Sequence, residues 1–232
     1  MKKITINLSY FNQDEILRNH VNSWISWPKD LLKHFSFCIV DDCSQKLATR
    51  VLQETNLSNI DLSIYRVKED LICNIAGVRN LSADKCQTEW MVILDMDTYI
   101  SEKLAKSMLE LINISPGNCF KFNRKVPWNI FHKKNGKQHP AVCLLRKEDY
   151  WRVGGCDEDL VGHYGQTDPM FWYRAEGILK INYQKEMYLH YEPKGEANII
   201  RDRKYNLSLF EKKKINKQWS TDFIRFGWEK IY

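Results

Sequence analysis

Trp90-Met91-Val92-Ile93-Leu94-Asp95-Met96-Asp97 is the stretch that decides how this chain is read. Its first five residues are apolar and rich in Val, Ile and Leu, the composition of a strand buried on both faces. Two carboxylates follow, one residue apart, where such a strand should end. Ligands of open α/β sheets gather outside the carboxyl ends of the strands. Two like charges held there repel each other and lose hydration unless a cation sits between them. Closely spaced oxygen donors suit a hard divalent ion, Mn2+ or Mg2+, and such an ion would in turn hold a diphosphate. An ordinary Asp-rich turn followed by a Thr98 cap is the other reading these residues allow.

Working outward, strands are expected at 4–9, 35–40 and 60–67. Between them lie helices at 46–54 and 76–86, and one capped by Asn12 that carries Ile16, Leu17, Val21, Trp24 and Ile25 at helical spacing. Strands alternating with helices predict a mainly parallel, Rossmann-like sheet with right-handed crossovers. Beyond Asp97, Ser101 opens a helix that Pro116-Gly117 breaks, and strands are expected at 119–122 and 141–146. The segment between those strands, 124–140, is long and basic and carries Trp128 and Phe131. Gly154-Gly155 marks a turn before Asp157-Glu158-Asp159, Pro169 suits the first turn of a helix, and 178–189 reads as a strand pair or extended segment ending at His190. The expected layout is a domain over 1–200, with halves at 1–100 and 101–200, and a helical extension over 201–232.

Apolar residues make up 44% of the 232, enough for a globular core. Seven cysteines, odd in number and without Cys-x-x-Cys spacing, argue against a disulfide framework or structural zinc and fit a reducing compartment. Met1-Lys2-Lys3 runs straight into a strand, and no apolar run is long enough for a membrane span. The expectation is a cytoplasmic protein, either free or peripheral at the inner face of a membrane. The net charge of +6 is concentrated at 201–232, where nine Lys/Arg face four Asp/Glu. No helix-turn-helix, zinc-finger or RNP pattern accompanies it, which excludes nucleic acid as the expected partner. Seven aromatics share that tail, from Tyr205 to Tyr232. Packing on the domain or on a second copy of the chain is favoured over an anchor on anionic lipid.

Acidic residues recur at strand ends: Asp41-Asp42 after the second strand, then Asp95 and Asp97, with Asp168 at a helix start. A helix N-terminus favours the anionic form of Asp168, and a carboxylate can take a proton from a hydroxyl. Alone, Asp168 reads first as a cap without chemistry, and His190 as an ordinary histidine. In order along the chain come 4–12, Ile39-Val40-Asp41-Asp42-Cys43-Ser44, Gly77-Val78-Arg79-Asn80, Ile93-Leu94-Asp95-Met96-Asp97, Gly154-Gly155-Cys156-Asp157-Glu158 and His163-Tyr164-Gly165-Gln166-Thr167-Asp168. This series resembles family 2 glycosyltransferases of GT-A fold, and the resemblance covers most of residues 4 to 192.

The resemblance implies roles. Asp42, with Asp41, would bind the base of a nucleotide-sugar, with Phe11 stacking on it and Ser9 beside it. Arg79 would lie near the base or diphosphate. Asp95 would meet the ribose or the metal's shell, Asp97 would bind Mn2+ or Mg2+, and His190 would complete the metal site. Asp168 would be the catalytic base. Thr167 stands where relatives carry Glu, a weaker and neutral partner for an acceptor hydroxyl, and Asp157 and Trp128 are placed with it as acceptor contacts. The implied reaction is an inverting transfer from a nucleoside-diphosphate sugar, UDP-linked hexose being the expected donor. The acceptor would be a glycan or lipid-linked sugar in polysaccharide biosynthesis, with 124–140 closing over the diphosphate as a lid. Two rivals remain: a sugar- or nucleotide-binding module of this fold without turnover, and a Mg2+-dependent phosphatase of the haloacid-dehalogenase type. The latter's signature needs Thr or Val where Tyr99 stands.

Overall fold

The structure is a computed structural model that describes residues 1–192 and 200–232. Its elements, in order, are β1 (Ile4–Tyr10), α1 (Asp14–Ile25), α2 (Lys29–Leu32), β2 (Phe35–Asp41), α3 (Ala48–Val51), β3 (Leu62–Val67), α4 (Ile75–Lys85), β4 (Trp90–Leu94), β5 (Thr98–Tyr99), α5 (Glu102–Ile114), β6 (Asn118–Lys125), β7 (Gln138–Arg146), α6 (Lys147–Arg152), α7 (Thr167–Ala175), β8 (Lys180–Tyr191), α8 (Lys204–Asn216) and β9 (Trp228–Lys230).

Among the described residues, nine strands form one sheet in the order β5-β8-β6-β7-β4-β1-β2-β3-β9. The run β4-β1-β2-β3 is parallel, as the alternation of strands and helices requires. Beyond it the sheet is mixed: β7 runs antiparallel to both β4 and β6, β8 is parallel to β6, and β5 and β9 are antiparallel edges. Both faces are covered. On β4, Trp90, Val92 and Leu94 point into the core shared with α1 and α5, while Met91 and Ile93 enter the second core beneath Tyr150 and Phe171. This explains why β4 is apolar without interruption. Helix α1 buries Leu17, Val21 and Trp24 at helical spacing. Asn12 is not its cap: the residue takes a left-handed φ of 48°, and its side chain accepts from Gln45 N at 2.8 Å.

The tail is helical only in its first part. Helix α8 packs Phe210 against Leu160 and Met170. The chain then runs extended, lays Ile224, Phe226 and Trp228 against Val40, Tyr65, Val78 and Leu81, and pairs β9 with β3. Gly77 is required by this path, since a Cβ there would lie 2.4 Å from the Phe226 ring. Two buried carboxylates clasp the tail. Asp157 receives Lys213 at 2.9 Å and Ser220 N at 3.0 Å, and Glu158 receives Ile224 N at 2.7 Å and Arg225 N at 3.1 Å. All seven cysteines are free, and among the described residues no helix is long and apolar enough to cross a membrane.

Candidate active site

The parallel strands end together at one rim of the sheet, and a cavity of about 520 Å³ opens there. Ser9 and Phe11 line it from the end of β1, Asp95 and Asp97 from the end of β4, Arg79 from α4, and Thr167 and Asp168 from the start of α7. The turn after β4 is pinned from several sides. Thr98 donates to Asp95 O through both its amide (3.1 Å) and its hydroxyl (3.0 Å), and Glu192 N donates to Asp97 O at 2.8 Å. From α1, the fully buried His20 bonds Met96 O at 3.0 Å and stacks on Tyr99 at 4.2 Å. Burial lowers the His20 pKa to about 4, so the ring is neutral and donates from Nε2.

Arg79 joins two walls of the cavity. Only 6% exposed, it donates from Nη1 to Asp168 Oδ1 at 2.6 Å and from Nη2 to Asp95 Oδ1 at 2.8 Å. Burial opposes its charge, but the two carboxylates outweigh that penalty and hold its pKa above the ordinary guanidinium value. The next residue, Asn80, faces the other way and binds Cys156 N, Cys156 O and Glu158 Oε1. One turn of α4 therefore registers the metal-type turn, the helix carrying Asp168 and the Gly-Gly-Cys-Asp-Glu motif against one another.

Asp97 Oδ1 is buried without a hydrogen-bond partner among the described residues, and His139 Nε2 lies 3.5 Å away. Ligand atoms of Asp95, Asp97 and His139 all fall within 4.8 Å of one another. An orphaned carboxylate oxygen beside a second carboxylate fits a divalent ion, with the His139 imidazole alongside. His139 also accepts at Nδ1 from Ala141 N (3.2 Å) and Val142 N (3.1 Å), which puts the proton of its neutral ring on Nε2, facing Asp97.

A profile described as "Glycosyl transferase family 2" matches residues 5–181. The chain belongs to that family. No curated protein matched by sequence. Among solved structures, S. aureus TarS 1-349 in complex with UDP-GlcNAc superposes with a TM-score of 0.69 at 15% identity, over 84% of this chain and 60% of that one. The mannosyltransferase PcManGT from Pyrobaculum calidifontis, in complex with GDP-Man and Mn2+, gives 0.64 at 15%, over 83% and 57%. GalNAc-T7 with UDP, GalNAc and Mn2+ gives 0.63 at 13%, over 83% and 44%. These identities establish the GT-A fold, and the chain spans 60% or less of each of the three structures.

Within this family 2 chain, several residues expected at the site lie elsewhere. Asp41 is fully buried and committed: its oxygens accept from Ser44 N, Ala48 N and Arg66, so it holds the loop after β2. Asp42 does not line the cavity; its Oδ1 is shut from solvent without a hydrogen-bond partner among the described residues, and burial lifts its pKa to about 7. His190 is exposed on β8, because strand alternation turns Tyr191 into the cavity and its neighbour away. Asp157 is taken by Lys213 and the tail, and Trp128 is 59% exposed on the 124–140 segment, outside the cavity. The site gains residues the sequence did not flag, among them His139, with Arg201 and Arg203 from the tail, and Tyr164 of the last motif lines it as well. A lone His before Pro carries no spacing signal. Only the antiparallel register that pairs Ile93 with Cys143, continued four residues, sets 139 opposite 97.

Proposed function

We propose that this chain is an inverting glycosyltransferase that moves a sugar from a nucleoside-diphosphate sugar to an acceptor hydroxyl. The observation that carries this is the Arg79 bridge, which fixes Asp168 and Asp95 on opposite walls of one cavity. Asp95 and Asp97 would hold the divalent ion, Mn2+ or Mg2+, and His139 would steady Asp97 through its Nε2 proton. When bound, that ion supplies positive charge to the diphosphate leaving group. Arg124 and Lys134, which line the cavity from the 124–140 segment, stand ready to hold the same diphosphate.

Phe11 and Ser9 take the nucleoside end. Asp168 presents Oδ2 to the acceptor hydroxyl, since Arg79 occupies Oδ1. As the hydroxyl attacks the anomeric carbon, its proton passes to Oδ2 and the carbon–phosphate oxygen bond breaks on the far side. Thr167, beside the base, offers a hydroxyl to orient the incoming sugar. The neighbours' complexes with UDP-GlcNAc and GDP-Man support a nucleotide-sugar donor; a UDP-hexose is our first choice.

The test is a thermal-shift screen of UDP, GDP, CMP and their sugar derivatives with and without Mn2+, followed by transfer assays. A metal-dependent shift should vanish in Asp97→Ala and persist in Asp168→Asn, while Asp168→Asn loses transfer by about a hundredfold or more. A phosphatase would instead hydrolyse phosphate esters, and a binding module would bind donor without turnover in the unaltered protein. Absence of any nucleotide shift would end the proposal.

A further inference from the structure

We infer that the acceptor carries an anionic group, phosphate in the first instance, beside its nucleophilic hydroxyl, and that Arg203 with Arg201 receives it. The inference rests on the glycosyltransferase reading above and adds the acceptor's chemical class to it.

Besides Arg79, four cations line the cavity in two pairs, each pair set against one tyrosine ring. Arg124 and Lys134 lie 5.4 and 4.4 Å from the Tyr191 ring centre. Arg201 and Arg203 lie 5.7 and 5.5 Å from that of Tyr164. The two pairs serve different walls. Tyr191 is paired with Thr98 in the sheet, and the next residue bonds Asp97 O, so the first pair belongs with the metal-type turn and the donor diphosphate. Tyr164 begins the segment that leads through Gly165 and Thr167 to Asp168, so the second pair stands on the wall that carries the proposed base.

Arg203 is held there by the fold. A Cβ on Gly165 would sit 3.1 Å from Arg203 Cγ, which shows how closely the arginine stem follows that backbone. Just beyond it on α8, Asn206 Nδ2 lies within bonding distance of Leu160 O (3.1 Å), His163 O (2.8 Å) and Gly165 O (2.9 Å). Tyr205 stacks on His163 at 3.8 Å. The start of α8 is thereby fastened to the segment that precedes Asp168, and the guanidinium goes wherever that segment goes.

Charge balance points the same way. Leaving Arg201 aside, the cavity holds Arg79, Arg124, Lys134 and Arg203 against Asp95, Asp97 and Asp168. A divalent ion and the diphosphate of a nucleotide-sugar cancel each other, so the donor complex keeps the protein's positive surplus. Arg79 is spent on two carboxylates, and Arg203 forms no ion pair among the described residues. A planar guanidinium is suited to bidentate contact with phosphate oxygens. A neutral sugar would leave that exposed guanidinium without an anion to bind.

The experiment titrates sn-glycerol 3-phosphate, with glycerol as control, into protein saturated with Mg2+ and whichever of UDP or GDP binds. Parallel arms use vesicles of phosphatidylglycerol and of phosphatidylcholine. Glycerol 3-phosphate should bind the nucleotide-loaded protein and glycerol should not. Arg203→Ala should weaken that binding about tenfold or more, with Arg203→Lys intermediate and nucleotide affinity changed less than about twofold in both. Arg203-dependent binding to phosphatidylglycerol vesicles would locate the phosphate on a lipid headgroup; binding of glycerol 3-phosphate alone would locate it on a soluble or glycan-borne group. Binding of glycerol 3-phosphate only when nucleotide is absent overturns the inference, because the cations would then serve the donor. Equal loss of nucleotide and glycerol 3-phosphate affinity in Arg203→Ala does the same, as does a nucleotide-loaded protein that ignores both phosphate probes. A protein that binds no nucleotide at all brings down the underlying reading instead.

Discussion

Replacing Lys213 with methionine keeps most of the side chain's bulk and removes the charge that faces Asp157. Lys213 is 9% exposed at its side chain and Asp157 is 0% exposed, so this pair lies in the buried regime and not the surface one. Breaking a buried pair from one side costs about 3–5 kcal/mol, because the surviving charge is stranded. Here the Asp157 carboxylate would still accept from Asp159 N and Ser220 N, which argues for the lower end, about 3 kcal/mol. For a chain of this size that corresponds to a melting temperature about 6–12 °C lower. Urea titration with the m-value held constant gives the free energy, and limited proteolysis should show early cleavage within 217–227. The double variant Lys213→Met/Asp157→Asn should recover part of the loss, since the stranded charge is gone. A Lys213→Met protein within about 1 kcal/mol of the parent would refute the clasp and return Asp157 to the acceptor-binding role the sequence suggested for it.

Three further outcomes are expected. Burial raises Asp42 from 3.8 to about pKa 7, so the folded chain binds more protons between those values. Asp42's contribution to stability should be present at low pH and lost as pH rises toward about 7, a slope that Asp42→Asn should lack in urea titrations. His20 has a folded pKa of about 4 against 6.5 unfolded, so the unfolded chain binds more protons between those values. His20's contribution to stability should be full above about pH 6.5 and fall by roughly 3 kcal/mol as pH drops to about 4, a slope that His20→Gln should remove in urea titrations. His139→Ala should weaken Mn2+-dependent nucleotide binding about tenfold while leaving metal-free binding alone; an unchanged Mn2+ dependence would remove His139 from the site.

Local chemistry carried the sequence reading a long way. An unbroken apolar run could only be a strand covered on both faces, and its Asp95 and Asp97 had to emerge at the ligand-binding rim. Ser9, Phe11 and Asp168 lie at or next to the end or start of an element whose pattern was plain, whereas Arg79 lies inside α4. The role of each came from the family resemblance carried by the order of motifs. What escaped depends on pairings distant along the chain. His139 reaches Asp97 through the β4–β7 register. Asp157 looked like a site residue because its partner, Lys213, stands 56 positions later. His190 was placed by motif order, whereas the side to which it points is set by the phase of β8. The tail's final strand is three residues long and has no periodicity to read.

The pairing of β9 with β3 also has a consequence for how the molecule is made. Until residues 228–230 emerge from the ribosome, β3 is the outermost strand of a sheet whose other parallel members are already synthesised. At common translation rates that interval lasts on the order of ten seconds or more. An open strand edge of this kind recruits neighbouring chains. Shortening the interval, or occupying β3 with a chaperone, should therefore raise the soluble yield of this protein without touching a residue of its active site.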